Sequence, residues 1–66
     1  MIRHWLKNTR IEKGMTQKIV AEYVGITQPS YHQIESGENN PTIETAKKIA
    51  AVLGFDWTMF FPDKEE

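Results

Sequence analysis

The fold of this chain is decided by residues 16–37, which read TQKIVAEYVGITQPSYHQIESG. Apolar side chains recur at helical spacing on both sides of Gly25, a residue that favours turns. They are Val20, Ala21 and Val24 before the glycine, then Ile26, Tyr31 and Ile34 after it. Thr16 and Thr27 stand ahead of the two patterns, where they are suited to cap helices. The segment therefore predicts two short helices joined by a tight turn.

Glycine, proline and asparagine residues divide the rest of the chain into three further helical segments. We expect the first at about residues 2–13, with Ile2, Leu6, Thr9 and Lys13 on one stripe and with Trp5 beside it. The fourth follows a cap at Thr42 and has its apolar residues at Ile43, Ala46, Ile49, Ala50 and Leu53. A last short helix is expected at about residues 57–61. The pattern predicts an all-α, five-helix domain over residues 1–62, followed by an acidic tail at residues 63–66.

Length and composition exclude several classes of protein. Sixty-six residues form one domain. The absence of cysteine removes disulfides and thiolate metal sites, and the two histidines are far apart, so no metal or cofactor is expected. No apolar run approaches the roughly 20 residues of a membrane span, and the N-terminus does not resemble a signal peptide, so we expect a cytoplasmic protein. No nucleophile stands with a base and an orienting group, which argues against an enzyme.

The distribution of charge matters more than the net charge of -1. Residues 1–14 form the basic end, with Arg3, Lys7, Arg10 and Lys13 against a single acid. Residues 15–40 have Lys18 as their only full cation, against three glutamates. If this middle segment binds an anionic polymer, its contacts with the anionic groups must therefore come largely from amides, hydroxyls and helix N-termini.

The order of these residues resembles a known family, the lambda repressor-like, Cro/C1-type helix-turn-helix domain, also called the XRE family. The resemblance covers about residues 2–61 and rests on Leu6, Arg10, Gly14, Thr16-Gln17, Val20-Ala21, residues 24–28 (VGITQ), Ile34-Glu35, Gly37, Asn40-Pro41, Ile49-Ala50 and Leu53-Gly54. It implies that the second and third helices form a DNA-binding pair. It also implies binding to two-fold operators as a homodimer, and transcriptional regulation in bacteria or phages.

Two features depart from the family pattern. Positions 19 and 23 are usually polar in the family, whereas here they are Ile19 and Tyr23. They lie four residues apart, on one side of the second helix, so they either form a patch for a partner or pack beneath Trp5. The third helix also lacks the arginine or lysine that many relatives have there.

The polar side chains of the third helix are candidates for contacts with base edges. Gln28 is the strongest, because its amide can donate and accept together and so matches N6 and N7 of adenine in the major groove. Gln33 and His32 can reach the same groove, and Pro29 can pack on a thymine methyl group. The alternative is that these are ordinary solvated side chains on a surface helix.

A second group of residues is suited to phosphate oxygens. Gln17 begins the second helix, where free backbone N–H groups also favour anions. The other candidates are Lys18, Thr27, Ser30, Ser36, Asn39 and Asn40, supported by Lys7 and Lys13. Capping by Thr27 and turn formation by the asparagines are alternative roles that are compatible with phosphate contact.

Two further groups are assigned structural roles. In relatives with Arg and Glu at the positions of Arg10 and Glu35, an ion pair ties the first helix to the third, and we expect the same here. Trp57, Phe60 and Phe61 either complete the core or form a dimer interface. We favour the core for Trp57 and Phe60, and the interface for Phe61.

The sequence favours a DNA-binding transcriptional regulator, most simply a repressor that occupies a two-fold operator as a dimer. The other interpretation is a protein-interaction module of the same fold, such as an antitoxin or a partner of another regulator. The negative net charge and the Ile19/Tyr23 patch support that alternative.

Overall fold

The computed structural model describes residues 2–62, so the acidic tail expected at residues 63–66 lies outside the described part. Within that part the chain forms four α-helices and one 3-10 helix, with no strand. The α-helices are α1 (His4–Glu12), α2 (Gln17–Val24), α3 (Gln28–Ser36) and α4 (Ile43–Leu53). The expected fifth helix is a single 3-10 turn at Trp57–Phe60. The prediction of an all-helical domain is confirmed, and its count of five helices is corrected to four and a 3-10 turn.

Threonine caps begin three of the four α-helices. The hydroxyl oxygens of Thr16, Thr27 and Thr42 each accept a hydrogen bond from the backbone N–H three residues later, at 3.1, 3.2 and 3.1 Å respectively. Each bond satisfies one of the N–H groups that a helix start leaves without an internal partner. These three predicted helix starts are confirmed.

The turn between α2 and α3 depends on Gly25. This residue has φ +87°, in the left-handed region that side chains with a Cβ rarely adopt. The backbone N–H groups of Gly25 and Ile26 both donate to the carbonyl oxygen of Ala21, at 2.8 and 3.0 Å. This bonding closes α2 abruptly and directs the chain into α3, which packs against α2.

Side chains from every helix meet in one core. The fully buried apolar residues are Leu6, Val20, Tyr31, Ala46, Ile49 and Leu53. An aromatic cluster closes one end of this core, where Trp5 packs edge-on against Phe55 and Phe60 with ring centroids 5.1 and 5.2 Å apart. Helix α2 contacts both α3 and α4, so α3 is packed against the rest of the domain on the side opposite its exposed face.

Two residues of the predicted apolar patterns are exposed, and the structure excludes one of the two alternatives for Tyr23. Ile2 is half exposed and lies before α1, whose N-cap is Arg3; the backbone N–H of Arg3 donates to the carbonyl oxygen of Glu35. Ile43 is 56% exposed, because the first turn of α4 extends past the core that begins at Ala46. Tyr23 is 70% exposed and does not pack beneath Trp5, whose aromatic neighbours are Phe55 and Phe60.

No helix within residues 2–62 combines the length and the apolar character that crossing a bilayer requires.

Candidate nucleic-acid interface

The outer edge of α3 carries the residues predicted to contact bases. Gln28, Pro29 and His32 are exposed, and Gln33 is half-buried. Together with Gln17 and Glu38 they line one shallow depression on the surface. Pro29 lies in the first turn of the helix, where its missing N–H leaves no internal bond unmade. The structure therefore brings all four candidates for base contact to a single open surface.

The opposite face of α3 is anchored by a buried carboxylate. Glu35 is 4% exposed, and both of its oxygens accept hydrogen bonds from Arg10, from Nε at 2.8 Å and from Nη2 at 3.1 Å. The Tyr31 hydroxyl donates to the same carboxylate at 2.9 Å, and the Gln17 amide donates at 3.0 Å. We call Arg10, Gln17, Tyr31 and Glu35 the Glu35 network. Through it, α1 and the start of α2 are both attached to α3.

The charges in the Glu35 network stabilise one another. Burial alone would raise the pKa of the Glu35 carboxyl, but hydrogen bonds from Arg10, Gln17 and Tyr31 outweigh it and hold that pKa below its ordinary value. The hydrogen bond to Glu35 in turn raises the pKa of Arg10. Burial, followed by the hydrogen bond to Glu35, raises the pKa of Tyr31 far above its ordinary value. The network thus contains an ionised carboxylate paired with a guanidinium at neutral pH.

The Gln17 side chain belongs to the Glu35 network and is also part of the surface. One N–H of its side-chain amide is bonded to Glu35, which leaves the second N–H and the amide oxygen for an external group. Its side chain also lines the depression beside Gln28 and His32. The sequence suggested only a phosphate contact for Gln17, whereas the structure shows that its amide is also hydrogen-bonded to Glu35.

The other candidates for phosphate contact differ in whether their side-chain donors are already hydrogen-bonded within the chain. The Thr27 hydroxyl donates to the Ser30 hydroxyl at 2.9 Å, so the hydrogen of Ser30 remains available for an external acceptor. The hydroxyl of Ser36, the last residue of α3, donates to the backbone oxygen of Gln33 at 3.1 Å, so its hydrogen is used within the chain. Asn39 donates its side-chain N–H to the amide oxygen of Gln33 at 2.6 Å, and Lys18 is exposed in the first turn of α2.

Arg3 is a residue whose role the sequence did not reveal. Its guanidinium donates to the backbone oxygens of Ile34 and Asn39 and to the side-chain oxygen of Asn40. It also lies over the ring of Phe60, 5.5 Å from the centroid. All of these partners are more than 30 positions away, so no local pattern in the sequence indicates them.

The aromatic residues near the end of the chain divide between core and surface. Phe60 is 5% exposed and belongs to the core, so it is not available as an interface residue. Trp57 and Phe61 are half-buried, with their ring centroids 6.1 Å apart, and Lys47 lies over the Trp57 ring. The apolar surface at this end therefore includes Trp57 and Phe61, together with Met59, which is 45% exposed.

Known proteins are similar to this chain in both sequence and fold. A family model described as Helix-turn-helix (HTH_3) matches residues 6–60. The HTH-type transcriptional regulator YqaF of Bacillus subtilis is 49% identical over 63 residues, which cover 96% of this chain and 83% of YqaF. The cryptic phage CTXphi transcriptional repressor RstR of Vibrio cholerae is 42% identical over 52 residues, 79% of this chain and 46% of RstR.

Solved structures show the same arrangement of helices. The N-terminal DNA-binding domain of SinR from Bacillus subtilis matches with a TM-score of 0.80 and 31% identity, covering 100% of this chain and 97% of that one. An HTH_3 family transcriptional regulator from Vibrio cholerae matches with a TM-score of 0.73 and 36% identity, covering 96% of this chain and 35% of the other. The chain therefore belongs to the HTH_3 family, the Cro/C1-type (XRE) helix-turn-helix domains of transcriptional regulators.

Proposed function

We propose that this chain represses transcription by occupying a two-fold DNA operator as a homodimer, with one α3 in each half-site. The observation that carries the proposal is the depression on α3, where Gln28, His32 and Gln33 are brought together on an open surface. The same helix is held from behind by the Glu35 network. A helix that is fixed on one side and polar on the other is suited to reading the major groove.

Base recognition centres on Gln28 in this proposal. Its side chain is exposed at the first position of α3 and has no hydrogen-bond partner within residues 2–62, so both ends of its amide are free. A free amide can pair with N6 and N7 of an adenine. His32, one turn later, donates to a guanine acceptor or to a phosphate, and Pro29 packs on a thymine methyl group.

Phosphate contacts fix the orientation of the domain on the duplex. The capped N-termini of α2 and α3 offer backbone N–H groups, joined there by the second N–H of Gln17 and the hydroxyl of Ser30. Lys18 supplies a full positive charge in the first turn of α2. Asn39 and Asn40 extend this contact surface beyond the end of α3.

Dimerisation is assigned to the apolar surface of Trp57 and Phe61. Both rings are partly covered by their own chain and partly open, as is typical of aromatic residues that a partner completes. Sedimentation of the protein with and without Phe61→Ser tests this assignment. A dimer that persists unchanged in the variant would show that the interface lies elsewhere.

Selection from a pool of random duplexes tests the proposed function directly. We expect the protein to enrich a palindromic sequence, with adenine opposite Gln28 in each half-site. Enrichment of a palindrome supports a dimeric regulator that reads sequence. Binding without enrichment, or no binding, would contradict it.

The protein-interaction module is a second candidate function. It is favoured by a shallow depression lined by Ile19, Glu22 and Tyr23, in which Ile19 is 38% and Tyr23 is 70% exposed. If the random-duplex selection enriches nothing and another protein binds this surface, the module becomes the better account. If the chain is such a module, Tyr23→Lys should abolish binding of the partner protein. If the chain is the proposed DNA-binding repressor, Tyr23→Lys should leave DNA binding unchanged.

A further inference from the structure

We propose that Arg3 is a positioning residue for DNA binding, which orients the amide of Asn40 so that its N–H groups face a phosphate. The inference deepens the proposed DNA-binding function and rests on it. It concerns the N-terminal segment before α1 and the turn between α3 and α4. These two regions are adjacent only in the folded chain, since Arg3 and Asn40 are 37 positions apart.

The contacts of Arg3 converge on the end of α3 and the turn that follows it. One guanidinium nitrogen, Nη1, donates to the backbone oxygens of Ile34 and Asn39, the latter at 3.1 Å. The other, Nη2, donates to Oδ1 of Asn40. The backbone N–H of Arg3 also donates to the carbonyl oxygen of Glu35, at 2.8 Å. Arg3 therefore joins the last turn of α3 to the two asparagines.

The chemistry of arginine determines which end of the Asn40 amide faces it. A guanidinium has donors only, so the atom of Asn40 that it contacts must be the amide oxygen. The amide nitrogen, with two N–H donors, then lies on the side away from Arg3. The backbone of Asn40 is restricted as well, because the next residue is a buried proline. Asn40 thus turns its two N–H donors away from Arg3 while its oxygen is bonded to the guanidinium, an orientation that suits an anion.

The position of the guanidinium argues against a direct phosphate contact by Arg3 itself. Nη1 donates to two acceptors and Nη2 to a third, so most of the five N–H donors of the guanidinium are used within the chain, and the group lies over the Phe60 ring. Asn40, in contrast, is exposed. The geometry therefore assigns the contact to Asn40 and the control of its orientation to Arg3.

A double-mutant cycle separates positioning from a general structural role. Affinities are measured for the unaltered chain, Arg3→Lys, Asn40→Ala and the double variant, on a palindrome selected from the random pool and on an unselected duplex of equal length. Circular dichroism is used to choose a temperature at which all four proteins are folded. Asn40→Ala should weaken binding to both duplexes about tenfold for each bound domain, as expected for one hydrogen bond to a charged acceptor.

The coupling between the two changes decides the outcome. Arg3→Lys keeps the charge but lacks the planar guanidinium, whose two Nη atoms reach these acceptors together. It should therefore weaken DNA binding when residue 40 is asparagine. In the Asn40→Ala background it should have little further effect. Equal losses in both backgrounds would overturn the inference while the proposed function stands. Failure of the unaltered chain to bind either duplex would remove the proposed function, and this inference with it.

Asn40→Asp provides a second test that does not depend on changing Arg3. Its carboxylate still accepts from Arg3, so the fold should be kept, but it has no N–H to give to a phosphate. The matched control is Thr42→Asp, which adds the same charge two residues later and retains a good helix cap. Asn40→Asp should weaken binding to both duplexes much more than Thr42→Asp does. Equal effects of the two variants would contradict the assignment.

Discussion

The two faces of α3 differ in how their polar groups are satisfied. On the inner face, the Glu35 carboxylate accepts four hydrogen bonds, and within residues 2–62 no buried side-chain nitrogen or oxygen lacks a partner. On the outer face, Gln28 and His32 are exposed and have no such partners in the described part of the chain. The inner face is complete in the free protein, whereas the outer face has unused donors and acceptors.

This difference connects stability with recognition. A surface that is to read base edges must keep its hydrogen-bonding groups free until DNA supplies their partners. Free groups on a mobile helix would bind weakly, because ordering them on binding has an entropic cost. The buried bonds on the inner face remove much of that cost in advance. Changes to the inner face should therefore alter folding first, and changes to the outer face should alter binding alone.

The largest expected effect comes from breaking the inner face at Arg10. In Arg10→Met, Glu35 keeps a buried charge without its main partner, so the free energy of unfolding should fall by about 3–5 kcal/mol. Denaturation followed by circular dichroism measures this loss. The matched control is Lys48→Met, which removes an exposed pair with Glu44 at 3.7 Å and should cost less than about 0.5 kcal/mol. Similar stability of the two variants would show that the Glu35 network does not hold α3.

A smaller effect, confined to binding, is expected from Gln28→Ala on the outer face. The variant should lose about 1–3 kcal/mol of discrimination at one base pair of each half-site, with its unfolding transition unchanged. Affinities for the selected palindrome and for versions substituted at single positions measure the loss. An equal loss on every sequence would mean that Gln28 contacts the backbone of the DNA and not a base.

Thr27→Ala tests a residue at the boundary between the two faces. The loss of its cap should cost about 1 kcal/mol of stability, and it should also weaken DNA binding, because the cap fixes the N-terminus of α3. Thr42→Ala removes the same type of cap from α4 and should cost similar stability. If both variants weaken DNA binding equally, the effect follows from stability and not from the position of the α3 N-terminus.

The last prediction concerns the dependence of stability on pH that the Glu35 carboxyl produces. Its pKa in the folded protein lies below the ordinary value of 4.5. A carboxyl with a lowered pKa contributes stability that is complete above the unfolded value and is lost as the pH falls through the folded value. Glu35→Gln should therefore be less stable than the unaltered chain at pH 7, and the difference should narrow below about pH 4.5. A difference independent of pH would contradict the ionised state of Glu35.

The local parts of the fold could be predicted from the sequence because short-range chemistry decides them. Thr16, Thr27 and Thr42 were identified as caps from their positions ahead of apolar patterns, and each has the expected bond. The pairing of Arg10 with Glu35, expected from the resemblance to the family, is present in the structure. The expectations for Ile2 and Ile43 were wrong, since helical spacing alone does not show where a core ends.

The sequence by itself determined where α2, α3 and α4 begin, which faces are largely apolar and where Gly25 turns the chain, because each of these depends on residues within about one or two helical turns. Only the tertiary structure decided that Gln17 bonds to Glu35 and that Arg3 holds the turn at Asn39 and Asn40. Those contacts join residues 18 to 37 positions apart. They form only when packing of the apolar faces brings distant helices together, so no local spacing in the sequence specifies them.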